Sequence, residues 1–334
     1  MATTSQVRDY WNVHIHDLEI SSHAAGTREF FADLDQYHFE KLHHLLRLVD
    51  FNGQRGKRVL EVGCGAGTDL MRFAKGGASV TGVDIAPSAI ALAKQNFAQQ
   101  GLEADLREAD GEHLPFADGS FDVVYAHQVL QHLRERPSAV REMLRVVRPG
   151  GLVAVRDVDW GTAAYWPRDR WIDRFIEVHH QAWYRNGGEP QMGRQLRALF
   201  NAAGVDDLEI SAAVWCYATP DETSAWGEAY ADRLLTSPMG ERPVEYGFAT
   251  RAEIESMAAA FRAWGTHPDA TWMFIHIAAA RGYNPKWPIA KYREKFGTWP
   301  PYGAKPAPIA PTAEVLAWVR SRAIAYAKSK AGAA

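Results

Sequence analysis

The stretch Val59-Leu60-Glu61-Val62-Gly63-Cys64-Gly65-Ala66-Gly67-Thr68-Asp69 constrains this chain more than any other. Its apolar start reads as a buried strand, and the alternate glycines after it let the backbone turn sharply and approach a ligand with no Cβ in the way. The order is strand, glycine loop, helix. A dinucleotide fold can begin like this, but its glycines are spaced G-x-G-x-x-G. Counted from Gly63 the third position is Thr68, and counted from Gly65 it is Leu70, so neither register fits. Asp69 also puts a carboxylate in the first helical turn, where a pyrophosphate would need the amide dipoles to itself. The loop suits a ligand without phosphate.

Glu61-x-Gly63-x-Gly65-x-Gly67 resembles the first motif of the class I S-adenosylmethionine (SAM) dependent methyltransferases, in particular the ubiquinone/menaquinone methylase-like, methyltransferase type 11 group of small-molecule enzymes. Three further stretches follow in that family's order. Val80-Thr81-Gly82-Val83-Asp84 is an apolar strand ending in an acid, and a carboxylate at that tip can accept bonds from both ribose hydroxyls, a role shared by SAM and NAD sites. Glu108-Ala109-Asp110-Gly111-Glu112-His113-Leu114-Pro115-Phe116 resembles the adenine-contacting turn, and Phe121 to Gln128 resembles the strand and loop that pass the sulfonium. Arg148-Pro149-Gly150-Gly151 then matches the turn into the fifth strand. The likeness covers Val59 to Asp157. It implies a Rossmann-like α/β fold, with a seven-stranded sheet ordered 3-2-1-4-5-7-6, the last strand antiparallel, and helices on both faces. It implies SAM as cofactor, held by Glu61, Gly63, Cys64, Gly65, Gly67, Asp84, Ile85, Asp110, Gly111, Glu112, His127 and Gln128.

Composition adds bounds. An apolar fraction of 47% with 23% charged residues suits a soluble globular protein. No run of 18 apolar residues exists and the first residues lack a signal-peptide profile, so no membrane span and a cytoplasmic location are expected. Cys64 and Cys216 form no disulfide framework and no metal-ligand spacing, so both are expected to be reduced and packed, with no metal site. The net charge of −3 conceals an asymmetry: Tyr283 to Ala334 carries +7 and the preceding residues −10.

Four regions follow: a helical N-terminal cover (1–50), the SAM-binding core (51–157), an acceptor-pocket insertion with the final strands (158–282) and a basic, proline-rich tail with a terminal helix (283–334). The resemblance makes the N-terminal segment a cover that closes over SAM, with Trp11 and His14 facing the acceptor and His16 a candidate base. Phe30, Phe31, Leu34, Tyr37, Leu42, Leu45 and Val49 predict one long amphipathic helix from Glu29 to Val49, with His43-His44 on its surface. From Val59 short apolar runs alternate with helical stretches, the signature of a parallel sheet; strands are predicted at Arg58 to Val62, Ser79 to Val83, Ala104 to Glu108, Asp122 to Tyr125 and Leu152 to Arg156. After Asp157 the aromatic residues Trp160, Tyr165, Trp166, Trp171, Trp183 and Tyr184 predict a helical insertion at the catalytic edge, with Trp160 and Trp166 touching an aromatic or lipophilic acceptor. Asp207 to Tyr217 and Thr271 to Ala279 are predicted strands, which the resemblance makes the final antiparallel pair, and the mostly helical Pro220 to His267 between them is expected to add to the pocket wall or to a homo-oligomer contact. In the tail, Lys291 to Pro300 is similar to a short segment of some bacterial helicase-like proteins. Basic residues interleaved with Trp and Tyr suit nucleic acid, although docking on an acidic body is the favoured use.

SAM carries an already activated methyl group, so an enzyme need mainly align a nucleophile and exclude water, and no universal catalytic residue follows. A phenol or enol acceptor would need a general base, and His127 at the sulfonium end is the first candidate, followed by His132 and the His14/His16 pair. A methyltransferase acting on a small molecule is the expected function. The alternatives are a nicotinamide-dependent oxidoreductase, or a non-catalytic SAM-binding or nucleic-acid-associated protein using the tail.

Overall fold

A computed structural model describes residues 4–13, 20–41, 45–205 and 207–281, all within the compact unit Met1–Pro285. The tail, with its basic aromatic stretch and terminal helix, lies outside the described residues, as do His14, His16 and the His43-His44 pair.

The apolar runs pair as a single sheet. β1 (Arg58–Val62), β2 (Ser79–Asp84), β3 (Asp105–Glu108), β4 (Phe121–His127), β5 (Val147–Trp166), β6 (Glu209–Tyr217) and β7 (Thr271–Arg281) form a seven-stranded sheet in the order β3-β2-β1-β4-β5-β7-β6. β1 lies parallel between β2 and β4, while β7 runs antiparallel to both β5 and β6. This is the expected topology, with the reversed strand where the resemblance puts it. Strands such as β1 and β4 are apolar along both faces because helices cover both, so Val59, Leu60, Val123 and Val124 are wholly buried.

The helices begin where local chemistry allows. α4 (Thr68–Lys75) starts directly at the glycine loop, with Gly67 in the left-handed region at φ +75° as its N-cap. α5 (Pro87–Gln100) carries proline in its first turn, where a missing N–H costs nothing. Ahead of the sheet lie α1 (Thr4–Val13), α2 (Arg28–Lys41) and the short α3 (Leu45–Leu48). The periodicity predicted one helix over the last two; residues 42–44 between them are outside the described set.

The largest departure from expectation is β5. A strand ending at Arg156 and then a helical insertion are predicted, yet the strand continues to Trp166. Its extension pairs with β7, Val158 against His276 and, past a bulge, Tyr165 against Trp272. Aromatic residues fit a pleated, half-buried surface, which is why this composition extends the strand. Trp160 stacks on Phe274 at 5.1 Å and Tyr165 on Trp272 at 5.2 Å. α7 (Arg170–Asn186), α9 (Pro220–Thr236) and α11 (Arg251–Gly265) close this second core through Phe175, Tyr230 and Phe261. The capping boxes Thr219/Glu222 and Thr250/Glu253 fix the starts of α9 and α11. Between these helices lie α8 (Met192–Ala202) and α10 (Pro238–Glu245), and α6 (Arg136–Val146) leads into β5. Cys64 is packed as expected, but Cys216 is an exposed free thiol, because it falls on the outward side of β6's alternation.

Candidate active site

The carboxyl ends of β1, β2 and β4 converge on an open cleft of about 1180 Å3, roofed by α1 and α2. Such crevices are where ligands sit in open α/β sheets. The glycine loop forms its floor. Gly63, Gly65 and Gly67 all take positive φ. A Cβ on Gly63 would meet Val129 Cγ2 at 2.5 Å, whereas one on Gly65 would meet nothing within 4 Å and would project into open space. Asp84, at the tip of β2, accepts the Gly65 N–H through Oδ2 and the Ala86 N–H through Oδ1, both at 2.9 Å, and so holds the loop to the strand end. Burial raises its pKa.

The cleft brings together Glu61, Gly63, Cys64, Gly65, Asp84, Ile85, Asp110, Gly111, His127 and Gln128 of the expected cofactor residues, together with Trp11 and His132. Four expected residues are not on its wall. Gly67 caps α4 against Ala93 and Phe97. Glu112 points away and accepts the backbone N–H groups of Arg134 and Glu135 at 3.0 Å, tying one loop to another. Trp160 is buried in the second core, and Trp166 is 61% exposed on the strand extension. The longer β5 carries both away from the site.

Charge decides which kind of ligand the cleft can take. Among the described residues its wall holds four carboxylates, Glu61, Asp69, Asp84 and Asp110, and no lysine or arginine. A pyrophosphate would face uncompensated repulsion there, while a cation is favoured. Glu61 makes the point most sharply. It is 3% exposed, its Oε2 has no hydrogen-bond partner among the described residues, and burial followed by the negative charge of Asp69 pushes its pKa well up. An ammonium group against that oxygen would relieve both.

Behind the floor runs a polar network that the sequence reading largely missed. Asp69 is 3% exposed, and its Oδ2 accepts the Tyr125 hydroxyl at 2.9 Å and His127 Nδ1 at 3.0 Å, while Oδ1 faces His38 Nδ1 at 3.2 Å. Burial alone would raise its pKa, but the bonds from His127 and His38 outweigh that and hold the carboxyl below the ordinary range. His127 Nε2 is in close contact with Nη1 of Arg156. Arginine can only donate, so Nε2 accepts and the His127 proton sits on Nδ1, aimed at Asp69. Burial, then the Arg156 charge, lower the pKa of His127 to about 4. Both of its ring nitrogens are engaged by protein groups, Nδ1 by Asp69 and Nε2 by Arg156. The same tautomer argues against metal ligation, although His38, Asp69 and His127 place three ligand-type atoms within 4.8 Å of one another.

His38 was not singled out in the sequence, and one signal could have found it. It follows Leu34 by four residues, on the stripe that buries Phe30, Phe31 and Leu34, so the helical period turns it toward the sheet. α2 is pinned to α4 by the fork of Arg72 on Asp35, at 2.8 and 2.5 Å.

Residues 60–155 match the family model described as Methyltransferase domain. The chain is 31% identical over 192 residues to Uncharacterized methyltransferase C1B3.06c of Schizosaccharomyces pombe, a match covering 54% of this chain and 68% of that protein. This chain belongs to the class I SAM-dependent methyltransferases. SAM is accordingly its cofactor, which the acidic, phosphate-averse cleft accommodates. Methyltransferase GfsG of Streptomyces halstedii is 40% identical over 106 residues, covering 31% of this chain and 38% of that one. The Ubiquinone biosynthesis O-methyltransferase of Pseudomonas aeruginosa is 35% identical over 114 residues, covering 34% and 49%. The chain thus spans half or less of the length of these last two. Among solved structures, the [4+2]-cyclase SpnF shares the fold, with a TM-score of 0.50 and 23% identity over 84% of this chain and 97% of that one.

Proposed function

We propose that this methyltransferase transfers the methyl group of SAM to the hydroxyl of a small aromatic or lipophilic acceptor. The observation that carries the reading is the cleft itself: carboxylates and glycine backbone along one wall, with Trp11, Leu34, Val129 and Leu133 supplying apolar surface for an acceptor beside them. On this reading Asp84 holds the ribose, Asp110 the adenine amine and Glu61 the methionine ammonium, while Gly63 and Gly65 keep the backbone close. SAM supplies a methyl carbon already activated on a sulfonium. The protein's part is alignment and exclusion of water, which can lower a barrier by roughly 7–11 kcal/mol. α1 and α2 contribute the exclusion, and Trp11, edge-on to His132 at 4.6 Å, helps wall the acceptor side. No helix among the described residues is long and apolar enough to cross a membrane; a cytoplasmic small-molecule enzyme is the role we infer. The name of the Pseudomonas relative, a ubiquinone biosynthesis O-methyltransferase, supports an oxygen acceptor.

Calorimetric titration with SAM, then methyl transfer from radiolabelled SAM to a panel of phenols, enols and amines, tests this. Binding with transfer to hydroxyl acceptors is expected. A protein that ignores SAM, or one that methylates amines only, would overturn it.

A further inference from the structure

We propose that Gln128 is an acceptor-binding residue of this site: its amide N–H donates to a carbonyl oxygen that stands beside the hydroxyl being methylated, so that the substrate is a hydroxyl compound with a neighbouring carbonyl. The inference rests on the reading of the cleft as a methyl-transfer site, and it begins in the backbone. Among the described residues Gln128 alone, glycines aside, has a positive φ, +56°. There a Cβ crowds the following carbonyl oxygen, and the conformation persists only where its surroundings fix it. Two contacts do so. The Gln128 N–H donates to the Arg156 carbonyl at 2.7 Å, tying the end of β4 to β5, and Val129 packs against Gly63, where an added Cβ would come within 2.5 Å of its Cγ2. Glycine would make the same turn without crowding, so it is the side chain of Gln128 that the site retains.

That side chain is half-buried on the cleft wall, between His127 and Val129, and is the only carboxamide on the wall among the described residues. It adjoins Val129 and Leu133, apolar surface given above to the acceptor, whereas the side chains given to the cofactor, Glu61, Asp84 and Asp110, are all carboxylates. The acceptor is therefore its partner, in place of the cofactor role that the resemblance implies for it. Nε2 of Gln128 lies 3.4 Å from Nε2 of His127. That ring nitrogen has one lone pair and Arg156 takes it, so the contact spends no amide hydrogen and leaves Gln128 a donor for a ligand.

Chemistry narrows the ligand. In the transfer the hydroxyl oxygen forms its bond to the methyl carbon, the carbon–sulfur bond breaks with its pair remaining on sulfur, and the hydroxyl proton leaves to water. A donor on that oxygen would hold back the pair it must give, so an N–H serves a second oxygen. Holding a carbonyl next to the reacting group aligns that group with the sulfonium, the contribution on which this reaction depends.

Two measurements on the full chain, with Gln128→Gly and the isosteric Gln128→Glu, test this. The first needs no acceptor: Gln128→Gly, freed of the backbone conflict, should melt no lower than the unmodified protein and bind S-adenosylhomocysteine within threefold of it by calorimetry. A clearly lower melting temperature would show that the side chain is kept for packing, and a tenfold loss of S-adenosylhomocysteine affinity that it holds the cofactor; either overturns the proposal. The second follows methyl transfer from SAM to ortho-hydroxyacetophenone and to ortho-ethylphenol, which lacks the carbonyl. Both variants should raise the KM for the ketone about tenfold and that for the ethylphenol less than threefold, with the KM for SAM unchanged. Equal effects on the two phenols, or none, refute the contact. If S-adenosylhomocysteine binds and neither phenol is methylated, the hydroxyl acceptor fails, and the melting and calorimetric results decide whether Gln128 is retained for a ligand other than the cofactor. If S-adenosylhomocysteine does not bind, it is the cleft reading that fails.

Discussion

Asp69→Asn is the most informative single change, because one buried carboxylate collects three donors. The amide is isosteric, so its carbonyl oxygen can keep the Tyr125 and His127 bonds while its NH2 meets His38 Nδ1. Hydrogen bonds to an ionised acceptor are worth about 1.5–3 kcal/mol and neutral ones about 0.5–1.5, so the two retained bonds weaken by about 1 kcal/mol each. The third reverses polarity and forces His38 into the other tautomer, or is lost. Arg156, 1% exposed, then keeps its charge with one fewer carboxylate nearby. Removing one member of a buried charged pair costs about 3–5 kcal/mol. A loss of about 3 kcal/mol is therefore expected, or roughly 6–12 °C in Tm at the scaling for large domains. Urea unfolding followed by tryptophan fluorescence reads it. Tyr125→Phe is the comparison: it deletes one donor, leaves the charge, and should cost about 1–2 kcal/mol. If the two variants are equally destabilised, the negative charge of Asp69 is not what organises the network.

Three other outcomes follow from the geometry. Asp84→Ala should weaken SAM binding about tenfold or more, through loss of charged hydrogen bonds and of the anchor on Gly65; unchanged calorimetry would remove Asp84 from the ribose. His127, held near 4, and His179, buried and held near 3, are neutral in the fold, so their contribution is complete above their ordinary value near 6.5 and drains away as the pH falls through 4 and 3. Stability from urea unfolding should drop steeply from pH 6.5 to 4.5, and by about 2 kcal/mol less in a folded His127→Gln variant. Asp157 has the opposite sign: burial raises it to about 7, so its contribution is present below its ordinary value of 3.8 and lost as the pH rises to 7. Relative to the unmodified protein, Asp157→Asn should gain about 2–3 kcal/mol between pH 5 and pH 8, and a pH-independent difference would show that its carboxyl is not strained by burial.

The strand order and the cleft were legible because both depend on local signals. Gly63, Gly65 and Asp84 stand at fixed offsets from buried strands, and any sheet that forms around β1 must bring them to one edge. The network was illegible because its members come from four elements, α2, α4, β4 and β5, and no period in the sequence links His38 to Asp69 or Arg156 to His127. His127 shows the difference. Its place at the end of β4 was readable, but whether it could take a proton depended on Arg156, which is its partner across the sheet in register and 29 residues away along the chain. Trp160 and Trp166 failed for a related reason: an aromatic run suits a helix insertion or a long strand equally, and only pairing with β7 decides.

Three carboxylates of the cleft, Asp69, Asp84 and Glu61, cannot all ionise at ordinary cost, and the fold separates their roles by what each can bond. Asp69 turns inward, takes three donors and keeps its charge. Asp84 takes two backbone N–H groups and is shifted upward only by burial. Glu61 has no partner for Oε2 among the described residues; burial raises it, and the charges of Asp69 and Asp84 raise it further. A cationic ligand supplies what Glu61 lacks, so part of the binding energy for SAM is relief of the repulsion among these carboxylates.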